Sequence, residues 1–397
     1  MISIAGSQMQ VWSIFWQIRD LTDQPMALGG VGLARIIPVI AFSLVGGAMA
    51  DTVNRRSLLF ITQSAMALAA LVLFALTLSG QIALWQIYLL TAVQALAIAF
   101  DAPARQALVP NLVPARDLPN AFSMTSIAYQ TGAIVGPALS GLVIAYWGQA
   151  YTYLINAISY AAVLLALALI GQIPQQIAGE KRAKVSLTAI REGIQFIKNQ
   201  PIILSTMLLD FFATFFSSAN TLMPIIARDV LKVGVIEYGW LSAAQSIGAV
   251  SAALVVSQLK EIRRQGPVFL FSVVVFGLAT ILLGLSTTFA LAMIALMIIG
   301  AADSVSMIIR NTIRQLQTPD YIRGRMTSIN QIFFMGGPQL GEVEAGLVAQ
   351  IFSVPVAVIS GGIGALLALG FIVRKWPQLR AYNGDEPILA GVKAPAD

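Results

Sequence analysis

About twelve stretches of this 397-residue chain are each long and apolar enough to cross a lipid bilayer, and no other feature narrows its folding options so far. They lie roughly at 2–18, 28–50, 57–79, 82–102, 121–147, 150–170, 202–226, 238–258, 267–286, 289–310, 326–352 and 354–374. The first is short and unusually polar, with Ser7, Gln8, Gln10 and Gln17, and no basic segment or A-x-A cleavage pattern precedes it. Composition points the same way: 57% of residues are hydrophobic and 11% charged, against about 25% charged in an ordinary soluble domain. The predicted fold is an all-α membrane protein of about twelve transmembrane helices.

The chain has neither His nor Cys. That excludes Ser-His-Asp and Cys-His catalysis, zinc and iron–sulfur sites, His-ligated haem and disulfides. It reads as a non-enzyme with no metal and no cofactor, in which any proton work falls to carboxylates. The net charge of +6 fits a bias of basic loops toward the cytoplasm and needs no nucleic acid to explain it. All but four of the 24 Lys and Arg residues fall in one set of loops, among them Arg105, Arg116, Arg310 and Arg314. Arg19, Arg228 and Lys232 lie on the opposite side and Arg35 within a span. The basic side is therefore expected inside, with both termini, while Trp85, Tyr88, Tyr146, Trp147, Tyr151, Tyr238 and Trp240 form an aromatic belt at the other face. The expected organisation is a six-helix half over 1–170, a cytoplasmic linker over 171–200, a second six-helix half over 201–374 and a tail over 375–397. In the linker, Leu187, Ile190, Ile194 and Ile197 recur opposite Arg191, Glu192, Gln195 and Lys198, which predicts an amphipathic helix on the membrane surface.

The two halves repeat. Arg105-Gln106-x-x-x-Pro110 recurs as Arg314-Gln315-x-x-x-Pro319, Met124-Thr125-Ser126-Ile127 as Met326-Thr327-Ser328-Ile329, Gly136-Pro137 as Gly337-Pro338, and Arg19-Asp20 as Arg228-Asp229. Four matches in one order imply two pseudo-symmetric halves of like orientation. The seventh helix has about seven more residues before its Arg-Asp pair than the first has. The repeat thus predicts a first helix short of a turn or two at its cytoplasmic end, by a late-assigned start or a true truncation.

Gly47-Ala48-Met49-Ala50-Asp51-Thr52-Val53-Asn54-Arg55-Arg56 resembles the G-x-x-x-D-x-x-G-R-R/K signature of the major facilitator superfamily, with Asn54 in place of the glycine. Asp101-Ala102-Pro103-Ala104-Arg105-Gln106 and Gln315-Leu316-Gln317-Thr318-Pro319 look like the branch containing the enterobactin exporter and macrolide efflux permeases. The resemblance implies a multi-pass protein of a bacterial cytoplasmic membrane, most simply a monomer among lipids. It also implies a conformational latch of Gly47, Asp51, Arg55, Arg56 and Asp101: Asp51 would cap a helix of the other half, and Arg55 would pair with Asp101. Gly132-x-x-x-Gly136-Pro137-Ala138-Leu139-Ser140-Gly141 looks like the superfamily's antiporter motif. The same small residues also suit close packing of helix five, and Pro137 a bend in it.

Ionisable residues inside spans are costly, about 2.5–3.5 kcal/mol each at the bilayer centre, unless paired or in a wet cavity. Asp210, Glu342, Asp303 and Glu344, in that order, are the proton-coupling candidates; the alternative for them is an interhelical hydrogen bond or a pair with Arg35. Gln8, Trp12, Tyr129, Phe215, Asn220, Gln245, Gln331 and Phe333 lie on helices that line the central cavity in the resembling family, and are the substrate-cavity candidates. Simple packing is the competing reading for each aromatic. With no Walker A pattern, the energy source expected is the proton gradient. The reading is a secondary transporter working by alternating access, exporting a siderophore or similar amphipathic small molecule by proton antiport. Macrolide-type drug efflux, and a transporter-like sensor or lipid-handling scaffold that moves nothing, are the alternatives.

Overall fold

The computed structural model describes residues 1–170, 187–259, 262–319 and 322–384. It is helical, with no strand among the described residues. In chain order the helices are α1 (Ile2–Leu21), α2 (Pro25–Thr52), α3 (Arg55–Leu78), α4 (Leu84–Leu112), α5 (Leu118–Trp147), α6 (Gln149–Ile170), α7 (Leu187–Lys198), α8 (Pro201–Phe216), α9 (Met223–Ile225), α10 (Val235–Ser257), α11 (Gln265–Leu285), α12 (Phe289–Leu316), α13 (Arg323–Ile351), α14 (Val354–Lys375) and α15 (Gln378–Ala381). With α8 and α9 counted as one interrupted span, twelve long segments remain when α7 and α15 are set aside, as the apolar runs predict.

Local chemistry sets several boundaries. The Asn54 side chain accepts from the Ser57 N–H and starts α3, Thr288 does the same for α12 and Ser353 for α14. Pro25 and Pro201 stand in the first turns of α2 and α8, where a missing N–H costs nothing. The seventh span stops being a regular helix after Phe216. Pro224 lacks an N–H for the ladder, and Ser218 turns its hydroxyl to the Pro338 carbonyl at 3.0 Å.

Among the described residues ten segments are long and apolar enough to cross a membrane; α1 and α13 fall outside that set. For α1 the reason is visible in its bonding. Gln10 donates to Gln94 (2.6 Å) and accepts from Asn156 (2.7 Å), and Gln17 accepts from Tyr153 (2.6 Å) and donates to Thr77 (2.9 Å). Ser13 meets Ser140 at 2.9 Å. The polar side chains that lower its hydropathy bind it to α3, α4, α5 and α6 and stay out of lipid. In α13 the polar residues include Asn330, Gln331, Glu342 and Glu344.

Two compact units are formed: Met1–Val185 with Met223–Ala243, and Ser186–Leu222 with Ala244–Asp397. Unit one thus includes the end of the seventh span and the start of α10. α7 forms where the linker periodicity predicts it, and part of its apolar side packs on protein while Ile194 stays exposed. Ile197 is buried in a cluster with Ile203, Met207, Met326 and Ile329, with Phe196 alongside, so that part covers α8 and α13. The linker residues 171–186, and the side chains of Leu187, Ile190 and Arg191, lie outside the described set, as does 385–397 of the tail.

Candidate functional site

A charged cluster of unit two centres on α12. Arg310, counted among the loop cations by sequence, is instead a buried residue of this helix, 9% exposed. Its guanidinium is in ion-pair contact with Asp210 of α8 and lies 3.5 Å from Asp303, two turns back along α12. Nε donates to the Ser306 carbonyl at 3.3 Å. A guanidinium stripped of water costs several kcal/mol unless carboxylates and carbonyls replace the solvent, and this one has both. Arg35, one alternative partner for the acids within the spans, lies over the Phe15 ring at 5.5 Å. One turn on, Arg314 donates to the Asn311 amide oxygen at 2.8 Å. It too was placed in a loop by sequence and stands in α12.

These side chains line a cavity of about 200 Å³ with Asp210, Asn311, Asn330 and Gln331. A second void, of about 10 Å³ and so near the size of one water, lies among Asp210, Asp303, Thr214 and Ser306. Two of the four proton candidates, Asp210 and Asp303, therefore share one cation. Glu342 is buried in α13 and Glu344 half-buried near it, and neither lines these cavities. Arg310 was missed because it stands at the last position of an apolar run. Its spacing from Asp303 and Arg314, seven and four residues, places all three on one face of a helix.

Of the cavity candidates, Gln331 alone lines the larger cavity. Phe215 stacks on Phe211 at 6.1 Å and Phe333 meets that ring edge-on at 5.8 Å. Trp12 stands edge-on to Phe15 and Tyr238, whose hydroxyl donates to the Trp12 carbonyl at 2.7 Å. Tyr129 is exposed and Gln8 half-buried. Asn220 starts a 3-10 turn, and the Gln245 carbonyl faces Gly300.

In the signature loop the Asp51 side chain lies outside the described set. The expected Arg55–Asp101 pair is corrected. Asp101 is taken by Arg105 one turn along α4 (2.6 Å), by Gln63 (2.6 Å) and by Thr62 (3.1 Å). Arg55 instead donates to the carbonyls of Ala50 and Ala107 and to Asn111, tying the C-terminal turns of α2 and α4. Arg56 bonds to the Leu167 carbonyl at 2.7 Å. An acid four residues away on its own helix reaches Arg105 with no help from the loop, which is why Asp101 is occupied. Gly47 has open space beside it. Gly132 and Gly136 lie against the backbone of α1 at Ala5, and Gly141 against α10 at Val235 and Gly239. α5 runs unbroken through Pro137.

The repeated Arg-Asp pairs meet within unit one. Arg19 forks onto Asp229 (2.9 and 3.0 Å) and also contacts Asp23, while Arg228 reaches Asp20 at 2.8 Å. Each copy's arginine thus holds the other copy's aspartate.

Twelve long helical segments, ten of them apolar enough to cross a membrane, together with an internal repeat and a buried ion cluster beside a polar cavity, define a multi-pass membrane transporter. Comparison with known proteins bears this out. The family model described as transmembrane secretion effector matches residues 1–388. The enterobactin exporter EntS of Shigella boydii serotype 18 is 26% identical over 344 residues, 87% of this chain and 82% of that protein; EntS of Escherichia coli O81 is likewise 26% identical. Among solved structures, the inward-open xylose transporter XylE from E. coli superposes with a TM-score of 0.70 at 13% identity, covering 98% of this chain and 97% of that one. A bacterial homologue of the iron transporter ferroportin, inward-facing, also gives 0.70, at 16% identity over 94% and 96% of the two chains. The chain belongs to the transmembrane secretion effector family of the major facilitator superfamily.

Proposed function

We propose that this protein is a secondary active exporter that moves a small amphipathic molecule out of a bacterial cell by alternating access. The observation that carries the proposal is the Asp210–Arg310–Asp303 cluster beside a polar cavity, inside segments long enough to span the membrane. A charge cluster within such segments is expensive, and its ordinary use is a substrate or ion pathway. Proton coupling runs through Asp210 and Asp303, which share one guanidinium, so a proton on either leaves the other paired. Similarity to the enterobactin exporters favours export and a siderophore-like substrate. Asp51 acts as the latch that forms in one conformer of the cycle and breaks in the other.

Vesicles containing the purified protein and loaded with a small-molecule extract of the source cells test this. A pH step across the membrane should release specific compounds, read by mass spectrometry. Vesicles bearing Asp51→Asn should hold equal protein and release none. Release that ignores the pH step refutes proton coupling, and no release at all refutes export. Full release by Asp51→Asn refutes the latch.

A further inference from the structure

We propose that Arg310 and Arg314 form a binding site for a carboxylate on the transported molecule, with Asp210 as the resident counter-ion that the substrate displaces. The proposal deepens the transporter reading of the same site and rests on it. Three observations carry it. First, two guanidinium groups one helical turn apart line one cavity, and their supply of negative charge is uneven. Arg310 has Asp210 and Asp303, whereas Arg314 has the neutral Asn311 amide and no carboxylate among the described residues. Second, Asn330 and Gln331 line the same cavity, so neutral amide residues that can donate hydrogen bonds stand beside the two guanidinium groups. Third, the internal repeat breaks at this point. The register that aligns Arg105 with Arg314, and Arg19 with Arg228, aligns Asp101 with Arg310. In the first half the acid Asp101 neutralises Arg105 within α4 at 2.6 Å. In the second half that acid is an arginine, so α12 presents two cations and the compensating charge comes from another helix.

A purely structural role is already met by the arrangement in the first half. Inverting the charge at one position instead places a second guanidinium one turn away in the same cavity, and each such group can bind a carboxylate through two parallel hydrogen bonds. Asp210 occupies the Arg310 member of that pair when the site is empty. A cavity of about 200 Å³ lies below the usual 300–1,000 Å³ of a whole-ligand pocket, so the site grips the acidic end of a molecule and leaves the remainder outside it.

Calorimetry on the protein in lipid nanodiscs tests this with 2,3-dihydroxybenzoate and its neutral analogue 2,3-dihydroxybenzamide. The acid should bind, and the amide about tenfold more weakly or less. Arg314→Gln should weaken the acid about tenfold and bring the two ligands together. Asp210→Asn should strengthen the acid several-fold by removing its competitor, a direction that a merely structural Asp210 would not produce. Thermal unfolding of each variant establishes that it is folded; Asp210→Asn leaves Arg310 beside Asp303. Equal binding of acid and amide, no acid binding, or weaker acid binding to folded Asp210→Asn would each overturn the proposal. Acid binding without any release from loaded vesicles would instead remove the transporter reading and leave the site. Release confined to compounds without an acidic group, with no acid binding, would remove the site and leave the transporter.

Discussion

Arg310 and Asp210 show how one residue's position depends on its partner. Each is close to fully buried, and the ion pair is the reason both are tolerated. Removing one partner of such a pair costs about 3–5 kcal/mol, because the other is left charged without solvent. Arg310→Gln should therefore lower the unfolding temperature markedly, and adding Asp210→Asn should recover most of the loss. If the double variant unfolds as early as the single one, the pair does not carry that burden. Asp210 was legible in the sequence because a carboxylate inside an apolar run has few bland explanations. Arg310 was not, since at the edge of a run it counts as one more basic loop residue; only the packing of α8 on α12 distinguishes the two. Asp101 carries the opposite lesson. Its importance was legible, but the family pattern named Arg55 as partner while a nearer arginine lay four residues away on the same helix.

Among the elements, α1 and α5 show what polar and small residues do inside a bundle. Hydropathy marks α1 as a poor span, yet its glutamines and serines are bonded to four neighbouring helices. The small residues of α5 have the same origin. A Cβ on Gly136 would stand 2.6 Å from the Ala5 carbonyl oxygen, and backbone cannot rotate away as a side chain can. Gly136→Ala should cost about 1–3 kcal/mol by forcing α1 and α5 apart, whereas Gly47→Ala, with open space around it, should leave the melting temperature unchanged. Thermal unfolding in detergent reads both, and an unaffected Gly136→Ala would show that the α1–α5 contact yields easily. Helix existence and most boundaries could be read from the apolar runs. The interruption after Phe216 could be read only in part: Pro224 is visible in the sequence, but the Ser218 hydroxyl's carbonyl partner on α13 is not.

At the scale of the whole molecule, the repeat explains the crossed pairs of Arg19, Asp20, Arg228 and Asp229. Two copies of one dipeptide meet self-complementarily within unit one, each arginine on the other's aspartate. The repeat was visible in the sequence; the partnership needs the fold. Asp229→Arg alone should slow release from loaded vesicles. Combined with Arg19→Asp it should restore the wild-type rate, and failure of that rescue would mean the contact is incidental. The charge placement also bears on energetics. A carboxylate leaving a cell with a negative interior gains about 2.3 kcal/mol per 100 mV, so the membrane potential would assist export of an acidic molecule. The most direct test of the account is untargeted mass spectrometry of culture supernatants, comparing a deletion strain grown iron-poor with its parent and with strains complemented by wild type or by Asp210→Asn. The account predicts a secreted acidic compound that falls outside and rises inside the deletion strain, is restored by wild type, and is not restored by Asp210→Asn present at equal amount in the membrane. Unchanged supernatants on deletion, or full restoration by Asp210→Asn, would contradict it.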